Sequence, residues 1–405
     1  MRCPTFHLLL ATASTLLAHA IPHRTAGTLA VRQASNKLVF AHFMIGIVSN
    51  RQSAADFDDD MRRAKALGVD AFLGFFYASA AANGMTVFIS FDFNWYNPGQ
   101  GSAVDAKIAQ YAGRPAQLIV DGKAFVSFTG DGIDGDFSAH DGALNWVGWE
   151  TNGANKAPSG GVTVTVDYKD KAYESALSGK GYIARDCLRL VLHPLWAEVL
   201  FSKNWYRRWV EILALQPTFV EIITWNDYGE SHYIRPLSLH TDDGSSKWAN
   251  DMPHGGWLDM AKPFISAYKA GATSVDSFIT NDQIIYWYRV APKSLNCDST
   301  DTTMQPAKNA SGNYLEGRPD GFESMLDNVF VVTLLTAPGT VVVSSGDTAY
   351  AYTAPAGASA FSVPFHVGAQ NFALRRNGTE VISATSLKLS QDVCPCGLPG
   401  RARGV

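Results

Sequence analysis

The chain is poor in charge and contains no basic stripe. Only 17% of its 405 residues are charged and the formal net charge is -4, so it lacks the clustered Lys and Arg that bind phosphates. No apolar run reaches the roughly 20 residues that a membrane-spanning helix needs. We therefore expect neither a nucleic acid nor a membrane as partner.

Cysteine is also scarce, with five residues in the whole chain. No histidine with metal-ligand spacing accompanies Cys394 and Cys396, which argues against a zinc site. We expect no metal and no cofactor. In an oxidising compartment, the sequence is compatible with a disulfide from Cys297 to one of these two cysteines, while Cys3 is removed with a signal and Cys187 stands apart.

Secretion is expected from the start of the chain. Residues 1–20 contain one basic residue, a short apolar run and the small-x-small site Ala18-His19-Ala20, which is typical of a signal peptide. Residues 21–36 then read as a leader. The sequons at Asn309 and Asn377 predict glycosylation. We expect a monomer that is located outside the cell or in the cell wall.

Hydrophobic residues make up 46% of the chain, which indicates a folded protein with a sizeable core. Aromatic residues make up 12%, and many Trp and Tyr fall in stretches that read as loops. Flat aromatic rings stack on the apolar faces of sugars, so this composition is compatible with a carbohydrate ligand. A large aromatic core explains it equally well.

Strand-like and helix-like segments alternate over residues 37–273, which predicts a parallel sheet covered by helices and, at this length, a (β/α)8-type barrel. The predicted strands are 37–47, 70–76, 86–93, 117–120, 124–128 and 220–225, and the predicted helices are 53–67, 205–215 and 258–269.

The pattern changes after about residue 274. Short strands separated by turns follow, and Asn377-Gly378 is a strong signal for a two-residue hairpin. We predict a β-sandwich over residues 280–397. The fold class is therefore α/β, a barrel followed by a C-terminal β-sandwich.

The strongest candidate site follows the apolar strand that ends at Trp225. Asp227 and Glu230 lie three residues apart among aromatic side chains. Glycosidases need two carboxyl groups, one to protonate the leaving oxygen and one as base or nucleophile. Three residues span at most about 10 Å, which fits both the inverting and the retaining separation, so the spacing leaves the stereochemistry open. The alternative is an Asp turn followed by a surface Glu.

Other polar and aromatic residues lie at or near predicted strand ends, where a barrel builds its active site. The candidates for substrate binding are Asp92, Asn94, His42, Asp131, Trp149, Asn226, Tyr228 and His232. Each also has a structural interpretation: a strand-end turn for Asp92 and Asn94, a hydrogen-bonded core side chain for His42, and a core aromatic for Trp149.

Several long segments carry a resemblance to a known family. KLVFAHFMIG, TVFISFDFN, FVEIITWNDYGESHYI and HGGWLDMAKPFISAYK, together with YWYRVAPKSLNC and CPCG, resemble glycoside hydrolase family 71, the fungal α-1,3-glucanases or mutanases. The resemblance implies an endo-acting, inverting hydrolase of α-1,3-glucan that works without metal. It also implies that Asp227 and Glu230 are the catalytic pair. We assign Glu230 as the general acid and Asp227 as the group that activates or positions water, although the sequence leaves this division of roles open.

Three stretches depart from this resemblance. Residues 72–85 leave little room between a strand and a helix end, and residues 134–142 leave no room for a helix and a strand. Residues 185–198 contain RDCLRLVLHPLW, which gives VTASGWFFTHFG when suitable codons are read one base later. We interpret this as a local frame or splice error. A barrel without one unit has an open edge, so a catalytically impaired glucan-binding protein, or a hydrolase of another polysaccharide, remains an alternative.

Overall fold

The computed structural model describes residues 37–48, 50–73, 76–92, 100–129, 141–144, 167–177, 179–187, 204–228, 233–236, 249, 252–295, 326–387 and 389–393. Its first half is a parallel sheet with helices around it. Its second half consists of antiparallel sheets. No helix among the described residues is both long and apolar enough to cross a membrane.

Nine strands occur in the described residues before residue 224: β1 (Leu38–His42), β2 (Ala71–Leu73), β3 (Thr86–Asp92), β4 (Ile119–Val120), β5 (Lys123–Ala124), β6 (Val126–Thr129), β7 (Gly142–Leu144), β8 (Gly181–Cys187) and β9 (Phe219–Ile223). β4 and β5 pair only with each other. The other seven form one sheet in the order β6-β3-β2-β1-β9-β8-β7, and all of its pairs are parallel.

This order is that of a nearly closed barrel. β1 pairs with β9, so the first and last strands of the barrel meet, and the strands between them follow in chain order on each side. β6 and β7 lie next to each other without ladder pairing among the described residues. We call this gap the seam.

The predicted barrel of parallel strands and helices is thus confirmed in its coarse form, and seven parallel strands form its sheet in the part of the chain that the structure describes. Only residues 130–140, outside the described part, and Asp141 connect the end of β6 to β7. A parallel crossover with its helix usually takes a dozen residues or more. The seam thus coincides with the stretch that the sequence marks as too short.

Six helices of the described residues surround the sheet: α1 (Asp58–Leu67), α2 (Tyr77–Asn83), α3 (Gly101–Ala112), α4 (Asp167–Leu177), α5 (Asn204–Leu215) and α6 (Gly255–Lys269). Ser53 and Asp56 form a capping box on the 3-10 turn that leads into α1, and Gly68 ends α1 with a φ of 100°. α2 has seven residues and begins four residues after β2 ends, and the departure at residues 72–85 stays a prediction.

Alternate residues of each strand face the barrel interior and the helices. Val39 and Ala41 of β1 belong to the core between the sheet and the helices, together with Trp209 of α5 and Phe264 of α6. The interior holds four phenylalanines that contact one another at centroid distances of 4.8–5.6 Å, which we call the phenylalanine plug: Phe40, Phe88, Phe125 and Phe219. The barrel is therefore packed below its carboxyl end.

The second half of the chain forms two antiparallel sheets, β10-β11-β14 and β13-β12-β15-β16. Their strands are β10 (Gln283–Trp287), β11 (Asn328–Leu335), β12 (Gly339–Ser345), β13 (Thr348–Ala354), β14 (Gly357–Pro364), β15 (Gln370–Arg376) and β16 (Thr379–Thr385). Asn377 and Gly378 form the turn between β15 and β16 with positive φ angles of 50° and 80°, as the sequence predicts.

One face of β10-β11-β14 packs on the helical layer of the barrel. Trp287 and Phe330 share the core that contains Phe264 of α6, and the hydroxyl of Tyr206 donates to the carbonyl oxygen of Ala358 at 3.2 Å. The opposite face contributes Val329 and other side chains to a second core with the four-stranded sheet. A domain boundary between residues 273 and 280 stays a prediction.

Candidate active site

The carboxyl end of β9 continues into residues 224–236, which we call the β9 loop. Thr224, Trp225 and Asn226 are buried, and the hydroxyl of Thr224 accepts the backbone N–H of Asp227 at 2.8 Å. The two stems of the loop pair through the N–H of Ile234 to the oxygen of Thr224 at 3.3 Å. The two described stems of the loop, residues 224–228 and 233–236, therefore lie side by side at the end of β9.

The β9 loop is also joined to the end of β1. The N–H of Trp225 donates to the carbonyl of His42 at 2.7 Å. The side chain of Asn226 accepts the N–H of Met44 at 2.7 Å and donates to the carbonyl of Met44 at 3.1 Å. These bonds fix the backbone of Asp227 beside the first strand, at the carboxyl end of the barrel where parallel barrels hold their active sites.

Asp227 is buried, with 8% of its surface exposed. A buried carboxyl group at a strand end is the kind of group that can exchange a proton with a bound substrate or water. Glu230 and His232 lie outside the described residues, so the separation of the two predicted catalytic carboxyl groups stays a prediction.

His42 and Glu221 form a pair inside the barrel. Nδ1 of His42 and Oε1 of Glu221 are 3.1 Å apart, and the Glu221 side chain is 2% exposed. β1 and β9 place both side chains on the interior face, above Phe40 and Phe219. Sequence reasoning proposed His42 and missed Glu221. Its signal was a single acid within the otherwise apolar strand VEIIT.

Tyrosine side chains of the β9 loop pack against each other and against His254, which directly precedes α6. Tyr228 is fully buried, its ring lies 4.8 Å from that of Tyr233, and its hydroxyl donates to the carbonyl of Pro236 at 2.9 Å. Nδ1 of His254 donates to the carbonyl of Tyr233 at 2.6 Å. Burial lowers the pKa of His254 to about 3, which the hydrogen bond to Tyr233 opposes only in part, so this ring is neutral.

Two residues that the sequence predicts as substrate ligands, Asn226 and Tyr228, form hydrogen bonds to the protein backbone. Asn226 is fully buried and holds the backbone of Met44, and Tyr228 is fully buried and holds Pro236. Their burial argues against direct sugar contact, because side chains without solvent access do not line an open cleft. Both support the position of Asp227 instead.

The remaining candidates are less well defined. Asp92 ends β3, where it pairs in register with Thr129 of β6. Asn377 is exposed at its hairpin turn. The predicted residues Asn94, Asp131, Trp149 and Asn309, and the cysteines Cys297, Cys394 and Cys396, lie outside the described residues. Within the described residues, no three His, Cys, Asp or Glu side chains converge as a metal site would require.

The chain is similar to characterised hydrolases along most of its length. It is 35% identical over 437 aligned residues to a mutanase of Penicillium rubens, covering 95% of this chain and 92% of that protein. It is 26% identical to the glucan endo-1,3-alpha-glucosidase agn1 of Schizosaccharomyces pombe, covering 87% of this chain and 90% of that protein. An ascus wall endo-1,3-alpha-glucanase of the same yeast is 25% identical, over 77% and 82% of the two chains.

Among solved structures, an endo-alpha-mannosidase of family GH99 from Bacteroides thetaiotaomicron aligns with a TM-score of 0.39 at 10% identity, over 57% of this chain and 98% of that one. This likeness is too low to bear on function.

The model of glycosyl hydrolase family 71 matches residues 35–140 and residues 134–398. The two matching segments overlap at residues 134–140, which lie in the connection between the two sides of the seam. This match spans most of the chain and includes Asp227, His42 and Glu221. The chain belongs to glycosyl hydrolase family 71.

Proposed function

We propose that this protein is a secreted, monomeric hydrolase that cleaves α-1,3-glucan within the chain and inverts the anomeric configuration. Family membership and the names of the three relatives support the substrate. The observation that carries the proposal is the position of Asp227, which is buried and follows β9 at the carboxyl end of the barrel, directly after two residues that bond to the end of β1.

In the proposed reaction, Glu230 donates its proton to the glycosidic oxygen as the bond to the anomeric carbon breaks. A water molecule attacks that carbon from the opposite face, and Asp227 accepts the proton that this water loses. An inverting enzyme needs about 6.5–9.5 Å between its two carboxyl groups to accommodate the water. The burial of Asp227 supports this role, because few solvent molecules compete for its carboxylate.

Other parts of the chain have proposed supporting roles. The two antiparallel sheets are a β-sandwich accessory domain that braces the barrel, as the shared core around Trp287 and Phe330 suggests. Asn309 and Asn377 are glycosylated during secretion. The exposure of Asn377 in its hairpin turn is compatible with a glycan there.

The test is incubation of the purified protein with insoluble α-1,3-glucan, with release of reducing ends as the measurement. We expect Asp227→Asn and Glu230→Gln to lower the rate by about 10²–10⁴-fold, because each removes one proton-transfer step. Asp105→Asn on exposed α3 is the matched control and retains the rate. NMR of the first product reports the anomer. Unchanged rates in the site variants would remove these residues from catalysis.

A glucan-binding protein with impaired catalysis is the second candidate, and the seam favours it. In this proposal the seam is an open barrel edge, which removes part of the wall that a polysaccharide cleft needs. A groove of about 380 Å³ also lies on the four-stranded sheet, lined in part by Asn371, Arg375, Glu380 and Thr385, whose polar groups suit sugar hydroxyls. Retention on α-1,3-glucan without release of reducing ends would favour this function. Activity on another polysaccharide alone would favour a different hydrolase.

The frame hypothesis has its own test. Residues 185–187 form the end of β8, and residues 188–200 lie outside the described part. Sequencing the transcript across residues 134–205 shows whether it encodes RDCLRLVLHPLW. If it does, and the protein cleaves α-1,3-glucan, the hypothesis is wrong.

A further inference from the structure

The carboxylate of Asp60, a residue of α1, lies against the β9 loop. Asp60 is completely buried, although it lies in the first turn of the helix, where acids are usually exposed. Its Oδ2 accepts Nη1 of Arg51 at 2.6 Å, and its Oδ1 accepts Nε1 of Trp225 at 2.8 Å. The same Oδ1 forms an ion pair with Nε of Arg235.

Two of these partners, Trp225 and Arg235, belong to the two stems of the β9 loop. Trp225 is near the start of the loop, Arg235 is near its end, and the N–H of Arg235 donates to the carbonyl of Trp225 at 3.1 Å. Asp227 lies between them. We propose that Asp60 is a positioning residue, which sets the place of the Asp227 carboxyl group by holding both stems of its loop to α1.

The positive charges of Arg51 and Arg235 are both paired with the negative charge of Asp60. The Arg51 side chain is fully buried and its guanidinium group lies 4.7 Å from the ring centroid of Phe57. Arg235 is also buried, and Nη2 donates to the half-exposed Asp59 at 3.0 Å. Two buried cations around one buried carboxylate interact strongly because water does not screen them.

The electrostatics of Arg235 agree with this arrangement. Burial is the largest single influence on Arg235 and lowers its pKa, but Asp60, Tyr228 and Asp59 together outweigh burial and raise the pKa above its ordinary value. Arg235 therefore stays charged over the whole pH range in which a glycosidase works.

The same helix contains a matched control. Asp58 precedes Asp60 by two residues and also accepts two side-chain hydrogen bonds, from Ser79 at 2.6 Å and Asn83 at 2.8 Å. Both donors belong to α2, and neither belongs to the β9 loop. A defect that follows from weakening α1 in general appears in variants of both acids, whereas a defect in loop position appears only at Asp60.

The experiment compares Asp60→Asn, Trp225→Phe and Asp58→Asn in the full chain, and it rests on the proposed function. Rates on α-1,3-glucan are measured well below the unfolding midpoint of each variant and divided by the folded fraction. We expect Asp60→Asn to lower kcat by about tenfold or more, because small displacements of catalytic groups are costly, and to leave KM within about twofold. Trp225→Phe, which removes one N–H donor, lowers kcat in the same direction.

Three outcomes decide between the explanations. If kcat per folded molecule is normal in both Asp60→Asn and Trp225→Phe, which we call the loop-side variants, Asp60 has a purely structural role and the proposal is overturned. An equal loss of kcat in Asp58→Asn also overturns it. If Asp60→Asn does not fold, Trp225→Phe alone decides by the same criterion.

If the unmodified protein does not cleave α-1,3-glucan, the proposed function fails but the inference is still tested. Hydrogen exchange of the amides of residues 225–228 then replaces kcat as the measurement. Asp60→Asn, or Trp225→Phe in its place, should accelerate exchange there, while Asp58→Asn should not. Unchanged protection in the loop-side variant would overturn the proposal.

Discussion

The two sides of the barrel differ in how they are held together. On the side of β1 and β9, which we call the closed side, every strand pairs with two neighbours, and the buried carboxylate of Asp60 binds two buried arginines. At the seam, β6 and β7 each pair with one strand in the described sheet. The ion pair that spans the seam, Lys123 to Asp141 at 2.9 Å, has side chains that are 68% and 86% exposed.

This difference bears on the site. Asp227, His42 and Glu221 all lie on the closed side, where the sheet is continuous and the core with the helices is complete. Two of the three stretches that depart from the resemblance lie elsewhere, at α2 and at the seam, whereas the third begins with residues 185–187 of β8, which pair with β9. The polar groups proposed for chemistry therefore lie on strands that pair on both edges, while the short connection of residues 130–141 lies at the seam.

The largest expected effect concerns the phenylalanine plug, which has members on both sides. Phe40 of β1 is fully buried, whereas Phe125, directly before β6, is partly exposed. Both contact Phe88 and Phe219. We expect Phe40→Ala to lower the free energy of unfolding by about 3–5 kcal/mol and Phe125→Ala by roughly half of that, since less surface leaves water there.

Denaturant unfolding of the two variants measures this directly. The chemistry of the substitution and two of the contacting rings are the same, so the difference reports on the two sides of the barrel. Equal losses would mean that the seam is packed as tightly as the closed side.

A smaller effect is expected in hydrogen exchange. The amides of β1 are enclosed between β2 and β9, whereas those of β6 that point away from β3 face the seam. Local opening needs less free energy where a strand has one partner. We expect the seam-facing amides of Val126–Phe128 to exchange at least about tenfold faster than those of Val39–Ala41. Similar protection in both strands would argue that residues 130–140 cover the edge.

Sequence reasoning located most elements with strong periodicity. The predicted strands at 86–93 and 220–225 and the helices at 205–215 and 258–269 match β3, β9, α5 and α6 within a few residues. The short strands that the sequence predicts after about residue 274 are present as β10 to β16. Long apolar stretches carry this information locally, because burial on one face repeats with the period of the element.

Other elements left little trace in the sequence. α3 buries only Val104 and has no side-chain cap, so it lacks both the apolar stripe and the start signal of a helix. β8 begins as the short apolar run Tyr182-Ile183-Ala184 and continues into charged residues. Neither pattern separates a strand or helix from a loop.

The candidate site was found only in part, for a related reason. Asp227 follows a strand, which is a local signal. Asp60 instead reads as an ordinary acid in a first helical turn, because its partners Trp225 and Arg235 are far away in the chain. Glu221 likewise becomes notable only when β1 brings His42 to it. Contacts between distant segments depend on strand order, which periodicity does not encode.

The smallest expected effect is at the ion pair across the seam. The hydrogen bond from Lys123 lowers the pKa of Asp141. A carboxyl group with a lowered folded pKa adds stability above its unfolded pKa of about 3.9, and this contribution is lost as the pH falls through the folded pKa.

Because both side chains are exposed, salt screens their attraction. We therefore expect Asp141→Asn to leave Tm unchanged in physiological salt at neutral pH. At low ionic strength it should lower Tm slightly at neutral pH, and this difference should vanish in acid. Calorimetry of both proteins under these conditions measures it. A loss of Tm in physiological salt as large as that of Phe125→Ala would mean that this exposed pair, rather than the plug, holds the seam together.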